Sequence, residues 1–296
     1  MSAPFVDRTN DRALPPDYDG DLVLFDIDKT YLDTRFSSIR GLAAIPFDAA
    51  LDKRAIPGSV PLLRALRRGI GATSALVPIY FVSGSPKQLR GVIERKMTLD
   101  GVEHDGITFK DQLGLVRAGR IRDVKRQLGY KLLALLLYRA ETPEGARWLL
   151  FGDDVEEDAA VFTLFGEVCA GFRGARLEKR LKERQVASDQ LGRILELTES
   201  MAVTQDPVER VFIHLERGSD PGALPGARTL GTKSFLQTAL LLRTFGRIRP
   251  ESVAAVAQDL RKNHLPESKI EADLVDAKSR LGIQPEVIEL ARRGSS

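Results

Sequence analysis

Acidic side chains follow a short apolar stretch at two separate places in the chain. The first group contains Asp26 and Asp28, and the second contains Asp153, Asp154 and Asp158. Carboxylates that are held close together repel one another, and this repulsion is relieved when a divalent cation lies between them. Oxygen ligands of this kind suit magnesium. The two groups therefore predict a magnesium site.

A serine-containing turn follows a third apolar stretch, residues 77–82. A hydroxyl group and exposed backbone N–H groups at a strand-to-helix turn can hold phosphoryl oxygens. Ser83 and Gly84 are the candidates for this contact. Ser85 has a simpler interpretation as the N-cap of a helix that Pro86 opens. The turn thus predicts a phosphate site near the predicted metal site.

The elements that must position these residues are short buried strands alternating with helices. Apolar stretches predict strands at 22–25, 77–82, 148–151 and 211–215, and apolar spacing predicts helices at 60–68, 86–96, 131–139, 157–165 and about 176–201. This alternation is typical of an α/β fold, with a doubly wound, Rossmann-like parallel sheet and helices on both faces. In such sheets the polar side chains that bind ligands lie at the carboxyl ends of the strands. The acidic and serine groups should therefore meet there.

The chain divides into three predicted segments. Residues 1–20 form a flexible N-terminal segment, and residues 21–217 form the α/β body, with a small cap at about 33–54 and a basic helical insertion at about 173–201. Residues 218–296 form a helical C-terminal extension, because Pro250, Pro266 and Pro285 each open a helical pattern. This extension either packs on the sheet or makes a small appendage, and we assign it no chemistry.

Composition excludes several classes of protein. Of the 296 residues, 44 are Lys or Arg and 41 are Asp or Glu, so the net charge of 44 − 41 = +3 is too balanced for an obligate nucleic-acid binder. The single cysteine, Cys169, excludes an internal disulfide framework and a cysteine-based zinc site. Neither a signal-peptide core nor an apolar run of membrane-spanning length is present, which predicts a cytoplasmic protein. No feature indicates an oligomeric state.

In their order along the chain, these motifs resemble those of the haloacid dehalogenase (HAD) superfamily of phosphohydrolases. The matching residues are Asp26, Asp28 and Thr30 in the first motif, Ser83 in the second, and Asp153, Asp154 and Asp158 in the GDDxxxD motif. The resemblance covers residues 22–217. Within the superfamily, the chain is most similar to the catalytic domain of the actin-patch-associated phosphatidate phosphatases, through the segments FDIDKTYLDT, PIYFVSGSPKQLRGVIERK, LLFGDDVEEDAAVF and VERVFIHLERG.

The resemblance implies a role for each residue. It makes Asp26 the nucleophile and Asp28 the general acid and base, and it gives Thr30 the task of fixing the turn. Magnesium would be bound by Asp26, Asp28 (through its carbonyl) and Asp153, with Asp154 and Asp158 supporting the metal or its waters, or orienting the lysine. Ser83 and a lysine would hold the phosphoryl oxygens. We expect this lysine to be Lys131, which opens an apolar helical stretch, and the alternatives are Lys110 and Lys125.

Three departures from the family pattern bear on the substrate. Lys29 stands where many relatives have an acid, Asp154 replaces a small hydroxyl residue, and residues 173–201 are inserted. These changes leave the phosphatase chemistry intact and put the lipid substrate in doubt. The expected function is hydrolysis of a phosphomonoester through an aspartyl-phosphate. The substrate is phosphatidate or another lipid phosphate at a membrane surface, or a soluble nucleotide, sugar or protein phosphate.

The predicted cap and a second class of function leave further alternatives open. The cap carries an apolar series: Phe36, Ile39, Leu42, Ile45, Phe47 and Leu51. A cap of this small size suits a large or membrane-resident phosphate ester better than a tightly enclosed metabolite, or the apolar residues only pack the cap against the body. The alternative to an enzyme is a non-catalytic phosphate- or protein-binding module that kept the fold, although such a module has no need of both Asp26 and Asp28.

Overall fold

A seven-stranded sheet forms the centre of the protein. The computed structural model describes residues 6–33, 54–71, 76–117, 119 and 126–293. Within these residues the strands are β1 (Val6–Arg8), β2 (Asp21–Asp26), β3 (Ile79–Pro86), β4 (Gly106–Lys110), β5 (Arg147–Asp153), β6 (Val208–His214) and β7 (Thr229–Thr232). Their order is β1-β4-β3-β2-β5-β6-β7. Only the edge pair β1–β4 is antiparallel, so the predicted parallel sheet is confirmed.

Helices cover both faces of the sheet. The described helices are α1 (Ser59–Arg68), α2 (Arg90–Leu99), α3 (Gln112–Arg117), α4 (Leu128–Arg139), α5 (Asp158–Cys169), α6 (Gly174–Glu183), α7 (Ser188–Ser200), α8 (Phe235–Thr244), α9 (Pro250–Lys262), α10 (Glu267–Ser279) and α11 (Pro285–Arg292). Side chains alternate along β2. Leu22 and Leu24 pack in the core with α4–α7, whereas Val23 and Phe25 pack in the core with α1, α2 and α8–α11. The doubly wound α/β fold is confirmed.

The four predicted strands are present as β2, β3, β5 and β6, and β1, β4 and β7 are additional. Two predicted helices differ from the structure. The long helix expected at about 176–201 is two helices, α6 and α7, because the chain turns at Gln185, which has a left-handed φ of 56°. The helix expected from Pro86 begins later, since Pro86 ends β3 and a 3₁₀ turn, Lys87–Leu89, precedes α2.

The C-terminal helices pack on the sheet. Apolar residues of α8–α11 belong to the same core as those of α1 and α2, and the Phe235 ring in α8 stacks 6.1 Å from the Phe25 ring in β2. Pro250 and Pro285 begin α9 and α11 as predicted, and Pro266 immediately precedes α10. Of the two placements predicted for this extension, packing on the sheet is the one observed.

Some predictions fall outside the described residues. These include residues 34–53, with the whole apolar series of the predicted cap, and Lys125. Among the helices that the structure describes, none is both long enough and apolar enough to cross a bilayer.

Candidate active site

The carboxyl ends of β2, β3 and β5 bring the predicted site residues to one edge of the sheet. Asp26 is the last residue of the central strand β2, and it is paired in register with Val82 of β3. Ser83 follows Val82 in β3, and Asp153 is the last residue of β5. Because these strands are adjacent and parallel, the first acidic group, the serine turn and the second acidic group lie together.

Three of the five predicted aspartates form a compact buried group. Carboxylate oxygens of Asp26, Asp153 and Asp158 all lie within 4.8 Å of one another. Asp158 begins α5, and its Oδ2 accepts a hydrogen bond from the Asp153 N–H at 3.1 Å. A side chain on Gly152 would overlap the Asp158 carboxylate, which explains the glycine at the start of this acidic segment.

Lys131 extends from α4 into this group. It is the fourth residue of the helix, not the first as predicted, and its side chain is buried. Its ammonium lies 2.8 Å from Asp26 Oδ1 and 3.0 Å from Glu156 Oε2, and it donates a hydrogen bond to Asp158 Oδ1. The pair with Asp26 lacks hydrogen-bond geometry, so both carboxylate oxygens of Asp26 are buried without a hydrogen bond.

Burial among like charges shifts the pKa values of this group. Desolvation raises the pKa of Asp26 well above its ordinary value, although Lys131 opposes the shift. Desolvation and the Asp158 charge raise the pKa of Asp153 to about 8, and desolvation raises that of Asp158 to about 6. Burial alone would lower the pKa of Lys131, but the charges of Asp158 and Asp26 outweigh it and raise that pKa.

These observations fit a divalent cation. The potential ligands are all carboxylate oxygens, which magnesium prefers, and the carboxylate oxygens of Asp26 have no other donor. One lysine faces several acids, so the group retains an excess of negative charge that a bound cation would offset.

Asp28 has different surroundings from Asp26. Ser83 Oγ donates a hydrogen bond to Asp28 Oδ2 at 2.7 Å, and Ser85 Oγ donates to Asp28 Oδ1 at 2.7 Å. The Ser85 N–H also reaches Asp28 Oδ2 at 3.2 Å. The backbone of Ser83 is also held in place, because its carbonyl accepts a hydrogen bond from the Tyr130 hydroxyl at 2.7 Å. Hydroxyl groups therefore orient both oxygens of this carboxylate.

The interpretation of Ser85 as a helix cap is wrong. The helical turn after Pro86 has no side-chain cap, and the Ser85 hydroxyl is directed to Asp28 instead. Ser85 and Glu156 are site residues that the sequence reasoning missed. A signal for Ser85 was available, because Ser83 and Ser85 point the same way if the strand continues to Pro86, as it does. The contact of Glu156 depends on the conformation of a turn, and no sequence signal indicates it.

Thr30 and Gly84 support the loops of the site. Thr30 Oγ1 is 3.5 Å from Asp153 Oδ2, so it links the loop after β2 to β5. The Gly84 carbonyl accepts a hydrogen bond from Gln112 Nε2 at 2.6 Å, and a side chain at Gly84 would overlap Gln127.

The structure places Asp154 outside the buried carboxylate group. Its Oδ1 accepts a hydrogen bond from the Arg217 N–H at 2.9 Å, and its Oδ2 accepts one from the Ser219 N–H at 3.0 Å. Burial alone would raise the pKa of Asp154, but these backbone donors outweigh it and lower that pKa. Asp154 thus anchors the loop that follows β6.

The two described candidates for the lysine motif are placed differently. Lys110 is buried at the end of β4, two strands away from β2, and its Nζ donates a hydrogen bond to the Arg126 carbonyl at 2.5 Å. Lys131 contacts Asp26 and Asp158 directly. The geometry favours Lys131 for this role.

A cleft of about 860 Å³ opens beside the loop after β2. It lies between α1 and α9, and two acids in its wall, Asp33 and Glu216, flank Lys29 at 2.6 Å and 3.9 Å. The described lining includes these charged residues: Asp33, Arg54, Arg64, Lys96, Asp100, Glu216, Asp259 and Lys262. The wall of this cleft is therefore largely polar.

Comparisons of the chain with protein-family models, with curated proteins and with solved structures find no match.

Proposed function

We propose that the protein is a magnesium-dependent phosphomonoester hydrolase of the HAD type, with Asp26 as its nucleophile. One observation carries the proposal: Asp26 is buried at the end of the central strand with both carboxylate oxygens free of hydrogen bonds, beside Lys131. Buried carboxylates normally have hydrogen-bond partners. A carboxylate without them is available both to a cation and to an electrophile.

Asp26 and Asp153 would hold the magnesium ion, together with the Asp28 carbonyl that the sequence resemblance implies. Asp158 would support them, because it fixes both Lys131 and the Asp153 backbone. When bound, magnesium offsets the repulsion between carboxylates and a phosphoryl group.

The chemistry then proceeds in two displacements. An Asp26 oxygen attacks phosphorus, the bond from phosphorus to the ester oxygen breaks, and protonated Asp28 gives its proton to the leaving oxygen. In the second step Asp28 takes a proton from water, the water oxygen attacks phosphorus, and the bond to Asp26 breaks. The products are an alcohol and inorganic phosphate, and Asp26 and Asp28 return to their initial states.

Lys131 and Ser83 would stabilise the phosphoryl group during both displacements. The Lys131 ammonium lies beside the nucleophile, where charge redistributes onto phosphoryl oxygens. The Ser83 hydroxyl bonds to Asp28, so it lies near the leaving oxygen that Asp28 would protonate.

Hydrolysis of p-nitrophenyl phosphate tests the proposal. We expect turnover that depends on magnesium, is abolished by a chelator and is lost in Asp26→Asn. Turnover that survives this substitution would remove Asp26 as the nucleophile. Phosphate binding without turnover of any ester would identify a non-catalytic binding module instead.

The basic insertion gives little support to a lipid phosphate as the substrate, and this favours a soluble ester. The basic insertion does not present a uniform positive surface, because Arg180, Lys182 and Arg184 each pair with a glutamate. This weakens the argument for an anionic membrane.

A comparison of two substrate forms decides between these classes. Phosphate release from phosphatidate vesicles is measured beside release from soluble nucleotide, sugar and peptide phosphates. We expect the soluble esters to be the better substrates. Faster release from the vesicles would establish a lipid phosphate as the substrate and would favour a peripheral position at the membrane.

A further inference from the structure

Protein carboxylates surround the buried Lys131 ammonium at contact distance. An ammonium group has three N–H donors. Three acids surround it: Asp26 at 2.8 Å, Glu156 at 3.0 Å, and Asp158, to which it donates a hydrogen bond. A phosphoryl oxygen can therefore reach Lys131 only if one of these acids gives way.

Glu156 is the acid that is held least firmly. Asp158 is fully buried, and its other oxygen accepts the Asp153 N–H. Asp26 is 1% exposed at the end of β2. The Glu156 side chain is 21% exposed and lies in the turn between β5 and α5, and its Oε2 is buried beside Lys131 without a hydrogen bond of good geometry.

The Glu156 carboxylate also resembles the ligand that must replace it. It presents an anionic oxygen 3.0 Å from the ammonium, which is the contact that a phosphoryl oxygen makes with a lysine. Its charge adds to the negative potential around Asp26 and Asp153 and so opposes any incoming anion.

We propose that Glu156 is an internal competitor of the phosphoryl group: its carboxylate occupies, on Lys131, the place that a phosphoryl oxygen takes when an ester or inorganic phosphate binds. This inference rests on the proposed phosphatase function. It makes Glu156 a positioning residue that holds Lys131 in place before substrate arrives, weakens the binding of phosphate and favours the release of the product.

The test compares Glu156→Gln with Glu157→Gln in the full chain. Both substitutions remove one negative charge from the same turn, but Glu157 is exposed and pairs with Arg184 on the surface at 3.1 Å. Binding of inorganic phosphate is measured by calorimetry with magnesium present. Inhibition of p-nitrophenyl phosphate hydrolysis by phosphate gives a second value.

Glu156→Gln should bind phosphate about tenfold more tightly than the unsubstituted protein, the effect of removing one partly screened charge a few ångströms away. Glu157→Gln should change the affinity by less than about twofold, since exposed charges are screened. Glu156→Asp keeps the charge but shortens the side chain, so it should also tighten binding, to a smaller extent. Thermal melting checks that each variant is folded.

Equal or weaker phosphate binding by folded Glu156→Gln would overturn the inference, because Glu156 would then not compete with phosphate on Lys131. If the unsubstituted protein hydrolyses p-nitrophenyl phosphate while Glu156→Gln gives this result, the proposed function is kept and only the inference about Glu156 is rejected. If the unsubstituted protein neither binds phosphate nor hydrolyses the ester, both the proposed function and this inference fall.

Discussion

Asp26 and Asp28 lie two residues apart, yet they belong to two unlike halves of the site. The acidic half comprises Asp26, Lys131, Asp153 and Asp158, where carboxylates face one ammonium group and hydrogen bonds to Asp26 are lacking. The hydroxyl half comprises Asp28, Ser83 and Ser85, where serine hydroxyls donate to both carboxylate oxygens.

In the proposed function, this contrast lets one short strand end supply two chemical roles. A carboxylate crowded by other carboxylates is stabilised by a cation or a proton, and in the proposed function the Asp26 oxygens, which have no hydrogen bonds, form the bond to phosphorus. A carboxylate held by hydroxyl groups is fixed in orientation, as a group that transfers protons to and from a defined oxygen must be. Different environments around paired carboxylates assign them different roles.

The largest expected effects on turnover are those of substituting Asp26 and Asp28, and the two variants should differ in their kinetics. Asp26→Asn should lower the turnover of p-nitrophenyl phosphate by about 10⁴-fold or more, because no phosphoryl-enzyme can form. Asp28→Asn should lower it by about 10²–10⁴-fold. Nitrophenolate leaves without a proton, so Asp28→Asn should still release a burst equal to the enzyme concentration, measured by stopped-flow absorbance. A burst from Asp26→Asn would show that Asp26 is not the nucleophile, and the two halves would then not have the different roles proposed for them.

A second comparison uses two buried lysines. Lys131→Met leaves Asp26 and Asp158 without their cation, so it should lower the free energy of unfolding by about 3–5 kcal/mol and abolish turnover. Lys110→Met removes a hydrogen bond to the Arg126 carbonyl, so its cost should be smaller, at about 1–3 kcal/mol, and turnover should continue. Urea unfolding and hydrolysis assays measure both. The assignment of Lys131 fails if Lys110→Met is the inactive variant.

The acidic half should make stability depend on pH when no metal is bound. Because the folded-state pKa of Asp153 is about 8 against an ordinary 3.8, the folded state binds this proton more tightly than the unfolded state does. The stability from this group is therefore present at low pH and is lost as pH rises from about 4 to about 8. Asp158, at about 6, acts in the same direction.

Melting temperatures measured across this pH range with a chelator should fall as the pH rises, and magnesium should flatten the decline by taking the place of the protons. Asp153→Asn should remove part of the slope. A decline that magnesium leaves unchanged would contradict the picture of a carboxylate group that needs a cation.

The smallest effect concerns the hydroxyl half. Ser85→Ala removes one of the hydroxyl donors to Asp28, so kcat should fall about tenfold, the value of roughly one hydrogen bond to a charged group. KM and the magnesium dependence should change little, because the acidic half is untouched. Ser85→Thr keeps the hydroxyl and should restore kcat. Loss of magnesium affinity in Ser85→Ala would show that the halves are not separate.

Much of the fold could be predicted from the sequence, because buried parallel strands leave a clear local pattern. The stretches at β2, β3, β5 and β6 are apolar and end in polar residues. β1, β4 and β7 were missed because they are three to five residues long and carry no such pattern. The break between α6 and α7 was missed because its cause is a left-handed residue, Gln185, in a polar stretch.

The candidate site was predictable where strand ends determine it. Asp26 and Asp153 end neighbouring strands and Ser83 lies three residues before the end of β3, so their proximity follows from the parallel sheet. The orientation of side chains in the loops was not predictable. Asp154 turns to the backbone of Arg217 and Ser219, and Glu156 turns to Lys131, although both lie in the same turn. The partners of Asp154 lie in the loop after β6 and the partner of Glu156 lies in α4, so both contacts depend on how these distant segments pack in the folded protein.

Because α8–α11 pack on the sheet, one face of the sheet stays partly uncovered while the chain is being synthesised. Synthesis proceeds from the N-terminus, so β2 leaves the ribosome long before these helices do. Until they dock, the sheet face that carries Phe25, Phe151 and Phe212 lacks a large part of its cover. The nascent chain then presents an apolar surface of the kind that chaperones protect. Asp26 directly follows Phe25, so the strand that carries the proposed nucleophile is synthesised long before the helices that cover its Phe25 face.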